Sequence, residues 1–319
     1  MLTRPAATTT LLDGVPAASG AAVMSTGIVS IGFDRVHQIV LSDFLLAIGA
    51  LLWLGLIAVF LRRRFVHREH WLQEARAPAA LTAIAGTAVL GARLDLAGTR
   101  SAAWILLALA CLAWLRLVPS VLRHWQTPTV GVSFVLTVST ESLAVLAALL
   151  AIADHRSWLA VAALAPLILG LLAYLFALSR IDLRQFAAGR GDHWVFGGAL
   201  AIATLACARV TAALTATATL DVLHSTLVTA TLTLWAASAF WLPPLLVGEL
   251  AWPRLRYDTH RWATVFPFGM YAVCSIAAAR VTGIGGIGSF GRAWIWVALA
   301  VWVVVLAGMV RRAVDLART

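Results

Sequence analysis

The 319-residue sequence contains no lysine, and charged residues make up only 12% of it. A soluble domain of this length carries about 25% charged residues, so a water-facing globular fold is excluded. Cysteine is scarce as well. Cys111, Cys207 and Cys274 all fall inside apolar runs, without metal-ligand or disulfide spacing, and read as small packing residues. The eight histidines form no H-E-x-x-H pair or comparable zinc spacing. His67 and His70 lie in a basic loop, His124, His193 and His260 at the ends of apolar runs, and His224 three residues after Asp221. Paired intramembrane aspartates of the kind that bind magnesium diphosphates are missing, and so is a nucleophile–base set. No metal, no cofactor and no catalytic residue is therefore expected. Nothing resembles a cleaved secretory signal, because the segment before Val15 is polar and the first apolar run lacks a basic leader.

What the sequence does have is hydrocarbon. Its residues are 61% hydrophobic, with a mean hydropathy of +0.91. Runs long enough to cross a bilayer as helices fall near 15–33, 43–61, 77–94, 101–119, 129–153, 157–178, 194–214, 222–247, 261–281 and 293–312. The period-two alternation of a membrane β-barrel is absent. The expected fold is all-α and polytopic: a ten-helix domain over 15–312 between short cytoplasmic tails, 1–14 and 313–319. The net charge of +10 comes from arginines between the apolar runs, which is where membrane proteins collect them, so nucleic acid is not an expected partner. With the N-terminus in the cytoplasm, roughly 17 arginines lie inside and 6 outside, which places both termini in the cytoplasm of a bacterial inner membrane.

The spans alternate in kind. The odd-numbered ones are rich in Ala, Gly, Ser and Thr, as in VPAASGAAVMSTGIVSIGF, whereas the even ones are rich in Leu, Trp and Val, as in DFLLAIGALLWLGLIAVFL. Large apolar side chains suit lipid; small ones suit close helix contact or the lining of a narrow passage. The chain thus reads as five successive hairpins around a central pore, with odd helices inside and even helices outside.

Two sets of charges stand out against this frame. Arg35, Arg93, Arg209 and Arg280 all fall at or near the outer ends of odd spans, where a ring of guanidiniums would concentrate anions at an external vestibule. The other reading of each is snorkelling to headgroups or pairing with an acid such as Asp34 or Asp95. Glu141 lies midway along the fifth span. An ionisable group at that depth suggests proton coupling, or else a packed carboxyl bonded to Ser139 or Thr137.

The ninth span adds a break. Over 260–280 it reads HRWATVFPFGMYAVCSIAAAR. Pro267 removes a backbone donor and Gly269 loosens the same turn, so a kinked, pore-lining helix is expected, with Phe266 as an aromatic plug at the bend.

Three segments carry a resemblance. They are 23–30 (VMSTGIVS); Asp192-His193-Trp194 followed by Gly197-Gly198 and ALAI; and 262–271 (WATVFPFGMY). Together, in order and on three odd spans, they are similar to the tellurite-resistance/dicarboxylate transporter family. That family includes bacterial anion channels, fungal malate and sulfite carriers and plant guard-cell slow anion channels. The resemblance implies a homotrimer whose subunits each have a pore lined by the odd helices, with Gly27, Gly197, Gly198, Pro267 and Gly269 on them and Phe266 as gate. Arg261, Val265 and Phe268 depart from the family pattern, where tryptophan, threonine and an aliphatic residue are common. Phe268 is expected to face away from Phe266. The implied function is transport of a halide, an oxyanion such as tellurite, sulfite or nitrate, or a C4-dicarboxylate such as malate. A proton-coupled carrier is the alternative within the class, and an intramembrane enzyme or sensor the alternative outside it.

Overall fold

The computed structural model describes residues 16–66, 68–182, 193–253 and 257–318. The N-terminal tail, His67, Arg184, Arg190, Asp192, Arg254 and Arg256 lie outside the described residues. Twelve helices make up the described chain: α1 (Gly20–Arg35), α2 (Ile39–Val66), α3 (Arg68–Glu74), α4 (Thr82–Leu96), α5 (Arg100–Arg123), α6 (Val135–Ala153), α7 (Ser157–Ala162), α8 (Leu164–Leu178), α9 (His193–Ala216), α10 (His224–Ala251), α11 (Trp262–Thr282) and α12 (Gly285–Arg318). Nine spans among the described residues are long and apolar enough to cross a membrane, α7 and α8 together forming one of them. The 16-residue α1 completes the ten expected from hydropathy. No strand occurs among the described residues, only an isolated bridge between Thr129 and Ile181.

Two differences from the sequence expectation have clear causes. The short α3 falls in a stretch read as loop. It is tied back to α2 by the Arg63–Glu74 ion pair at 2.8 Å and by Arg64, whose guanidinium lies 5.3 Å from the Trp71 ring centre. The last helix begins at Gly285, well before residue 293, despite a run of glycines that each cost about 1 kcal/mol of helix propensity relative to alanine. Packing outweighs that cost: a methyl group at Gly291 would lie 2.6 Å from the Ala272 carbonyl oxygen of α11, so glycine permits the two helices to touch. At its other end α12 continues through residues assigned above to a tail.

The architecture follows from the two kinds of helix. Small-residue helices α1, α4, α6, α9 and α11 pack against one another in that order, and α11 returns to α1, closing a ring. Each is followed by its hairpin partner, namely α2, α5, α7–α8, α10 or α12, which lies outside and leans on the next inner helix. In the apolar core of α6, 94% of residues are buried, against 17% in α2. Every inner helix therefore runs in the same direction, because each is the first arm of a hairpin.

The sequence repeat was faint, but a side-chain repeat holds the two layers together. Trp53 of α2 donates its indole N–H to Thr87 of α4 at 2.9 Å, and Trp114 of α5 donates to Thr140 of α6 at 2.9 Å. Trp235 of α10 donates to Ser275 of α11 at 2.8 Å, and Trp302 of α12 to Thr26 of α1 at 3.0 Å. Each bond joins the outer helix of one hairpin to the inner helix of the next. An indole N–H in hydrocarbon needs an acceptor, and the hydroxyls of the small-residue helices supply it. At the remaining junction α8 has no tryptophan; Tyr174 instead packs on Phe196 of α9, with ring centres 5.7 Å apart.

Candidate functional site

The parallel inner helices give the ring two unlike ends. At one end α1, α4, α6 and α11 are entered through single 3-10 turns at Ala17–Ser19, Pro78–Leu81, Gly131–Phe134 and Thr259–Arg261. These turns and the first residues of the helices surround a narrow depression with a cavity volume of about 30 Å³, room for about one water. Its walls take a side chain from every inner helix: Met24 of α1, Thr82 of α4, Val135 of α6, Val195 of α9 and Phe266 of α11. Phe266 is 2% exposed and faces this shared space. The positive ends of five helix dipoles, each worth roughly half an elementary charge, point toward it.

Phe268 turns the other way. Its ring meets Trp194 of α9 at 4.6 Å and stacks on Trp294 of α12 at 5.6 Å and 5°. It packs between layers while Phe266 faces the axis, as the helical period requires. Pro267 sits between them in an α11 that is continuous from Trp262 to Thr282.

The glycines singled out in the sequence lie where helices approach most closely. A methyl group at Gly27 would lie 2.7 Å from Val89 of α4, and one at Gly269 would lie 2.6 Å from Ile28 of α1. At Gly198 it would lie 2.8 Å from Pro267, and at Gly197 it would meet Leu245 at 2.5 Å and the Tyr271 hydroxyl at 2.7 Å. These positions let the ring close tightly. Tyr271 also donates to the Ser238 carbonyl at 2.9 Å, so α9, α10 and α11 share one junction.

At the opposite end the four arginines divide. Arg35 on α1, Arg209 on α9 and Arg280 on α11 lie within electrostatic reach of one another, with Asp34 alongside. Arg209 is 8% exposed, and no hydrogen bond or ion pair joins it to any described residue. Arg280 is exposed, and Arg35 pairs with Asp34 at 3.8 Å. Arg280 and Phe266 are fourteen residues apart on α11 and share its axial face; at 1.5 Å per residue the cluster stands about 21 Å from the depression. Arg93 is bound elsewhere. It is 1% exposed, donates from Nε to Ser30 at 3.0 Å and Ser42 at 2.9 Å, and pairs with Asp43 at 2.6 Å. These partners draw it between α1, α2 and α4, where it also offsets the negative end of α4. Asp95, weighed above as a partner for the cluster, pairs with Arg100 at 3.5 Å and also lies within electrostatic reach of Arg35.

Glu141 is fully buried and belongs to neither end. Its carboxyl is turned toward the outer layer: a methyl group at Gly170 of α8 would lie 2.5 Å from Oε1. Neither oxygen has a hydrogen-bond partner among the described residues. Ser139, considered above as its partner, donates to the Leu136 carbonyl at 3.0 Å.

Sequence reasoning missed the Trp–hydroxyl bonds between layers, since no local spacing relates residues such as Trp302 and Thr26. It also missed Asp43, whose position at the start of α2, across from the end of α4, was the only available signal.

Residues 14–310 match the SLAC1 family of voltage-dependent anion channels. Two uncharacterized membrane proteins of Mycobacterium tuberculosis, from strains CDC 1551 / Oshkosh and H37Rv, are each 34% identical to the chain over 124 residues. That match spans 37% of this chain and 61% of the length of each relative.

Proposed function

The chain belongs to the voltage-dependent anion channel family, and from that premise we propose that it conducts small anions along the axis of the inner ring, with Phe266 as the gate. The permeant class is halide, oxyanion (nitrate, sulfite or tellurite) or C4-dicarboxylate such as malate. The observation that carries this reading is the depression to which all five inner helices contribute, lined by Phe266, with three arginines at the opposite end of the ring. An anion arriving at the arginine end meets Arg35, Arg209 and Arg280, of which Arg209 has no hydrogen-bond or ion-pair partner among the described residues. It then passes between apolar helix faces toward the positive ends of the inner-helix dipoles, where the Phe266 ring blocks the way. Pro267 and the close-packed Gly27, Gly197, Gly198 and Gly269 set the position of that ring by fixing α11 against α1 and α9. The working assembly is a homotrimer with one pore per subunit, in a bacterial cytoplasmic membrane with both termini inside. The family resemblance supports the first feature and the arginine distribution the second.

A second reading, proton-coupled carriage of dicarboxylate or sulfite, draws on Glu141, whose buried carboxyl has no hydrogen-bond partner among the described residues. Reversal potentials in proteoliposomes, with chloride, nitrate and malate exchanged across the membrane at two pH values, test both readings. Anion-selective current independent of pH supports the channel; uptake that follows the proton gradient and is lost in Glu141→Gln supports the carrier. Cation-selective flux, or the absence of both anion current and anion uptake, refutes both.

A further inference from the structure

A groove lies outside the ring, where the end of α10, the start of α11 and the second half of α12 meet. Its volume is about 650 Å³, within the roughly 300–1,000 Å³ of small-molecule sites. One wall is an apolar stripe of α12 at helical spacing, Val301, Val304, Val305 and Gly308, and Arg311 continues that stripe one turn on. From Val301 to Arg311 the stripe is about 15 Å long, half the roughly 30 Å hydrocarbon thickness of a bilayer, which is the depth of one leaflet. Val304 is 71% exposed, so the stripe opens toward the surrounding lipid.

The groove is polar at one end only. Arg261 there donates to Glu249 at 2.7 Å, and Trp194 donates to the other oxygen of the same carboxylate at 3.0 Å, so the acid is already neutralised. The Tyr257 hydroxyl accepts from Trp262 at 3.2 Å, which leaves its own hydrogen free to donate. Arg311 is exposed and has no ion-pair partner among the described residues. An unpaired guanidinium, a free hydroxyl donor and the outer N–H groups of Arg261 at the head of a leaflet-deep apolar trough match a phosphate-bearing headgroup above an acyl chain, the guanidinium fork being suited to phosphate oxygens.

We propose that this groove is a binding site for an anionic phospholipid of the leaflet facing the starts of the inner helices. The headgroup phosphate sits on Arg311 and Tyr257, and one acyl chain lies along Val301, Val304 and Val305. Phe268, which lines the same groove from α11, is in contact with the bound lipid.

The test is lipid retention, which does not depend on anion conduction. Protein reconstituted with equal phosphatidylglycerol and phosphatidylcholine is extracted in mild detergent and weighed by native mass spectrometry. Phosphatidylglycerol is expected to be retained in preference. Arg311→Gln should weaken that retention about fivefold, the equivalent of about 1 kcal/mol for one basic residue at the membrane surface. Val304→Trp fills the trough while leaving the basic residues in place, and on an exposed lipid-facing position it should fold and lose retention. Equal retention of the two lipids, or retention unchanged in both variants, overturns the proposal. So does a Val304→Trp protein that falls from oligomer to monomer with lipid retention intact, because the groove would then be a contact between copies of the chain.

Discussion

Replacing Phe266 with alanine separates a gate from an ordinary core residue, provided that Phe268 is replaced in parallel. Truncating a buried phenylalanine in a filled core costs about 3–5 kcal/mol. Phe268 also borders the outer groove, so its packing loss should fall toward the low end of that range, but it loses two ring pairs worth about 0.5–1.5 kcal/mol each, because Trp194 and Trp294 stand 4.6 and 5.6 Å from it. Phe266 borders the axial depression and makes no ring contact among the described residues, so its removal should cost only the low end of the same range. The current should respond in the opposite order. If the ring imposes a barrier of about 1.4 kcal/mol on a permeating anion, Phe266→Ala raises the current about tenfold, while Phe268→Ala lowers thermal stability without opening a path. Planar-bilayer recordings paired with thermal melts in detergent read both quantities on the same preparations. An unchanged anion current in Phe266→Ala, or a rise in Phe268→Ala alone, refutes the assignment of the axial face.

The arginines should separate in the same two assays. Arg209→Gln removes an unpaired charge worth about 1 kcal/mol to an anion some 4 Å away in a water-filled mouth, so current at low salt should fall about fivefold and the deficit should shrink as salt screens the mouth. Arg93→Gln should leave current unchanged and lower stability by about 1.5–3 kcal/mol, since it breaks charge-assisted bonds to Ser30, Ser42 and Asp43. Gly198→Ala forces a methyl group to 2.8 Å from Pro267 and should cost about 1–3 kcal/mol, whereas Gly55→Ala, with no atom within 4 Å, should be tolerated; melting temperatures compare them. In the loop after α6, hydrogen bonds from Trp104 and Arg100 hold the Asp154 carboxyl below its ordinary range. Its stabilising contribution is therefore present above the unfolded value of about 3.9 and is lost as pH falls through the lower folded value. Asp154→Asn should flatten this part of the acid limb of a stability–pH curve, and an unaltered limb would exclude the bond.

The sequence by itself determined the ten spans and the division between inner and outer helices, because both depend on a local property: how much side chain a helix presents to hydrocarbon or to a neighbour. It also set Phe266 and Phe268 on opposite faces of α11, since two residues of helix turn a side chain a little more than half way round. The arginines show where local reading stops. Arg35, Arg93 and Arg280 look alike in the sequence, each a basic residue in the last turn of an inner helix. Only the tertiary structure places Asp43, Ser30 and Ser42 beside Arg93 and leaves Arg209 without a hydrogen-bond or ion-pair partner among the described residues. The glycines left open a choice between lining and contact, which Val89, Ile28 and Pro267, arriving from other helices, decide in favour of contact at Gly27, Gly269 and Gly198. Glu141 was legible as a buried charge, but that it turns outward against Gly170 depends on how α8 lies against α6. Which of these charges are free to act on a passing ion depends on distances between residues far apart in the chain, and those distances exist only once the ring has closed.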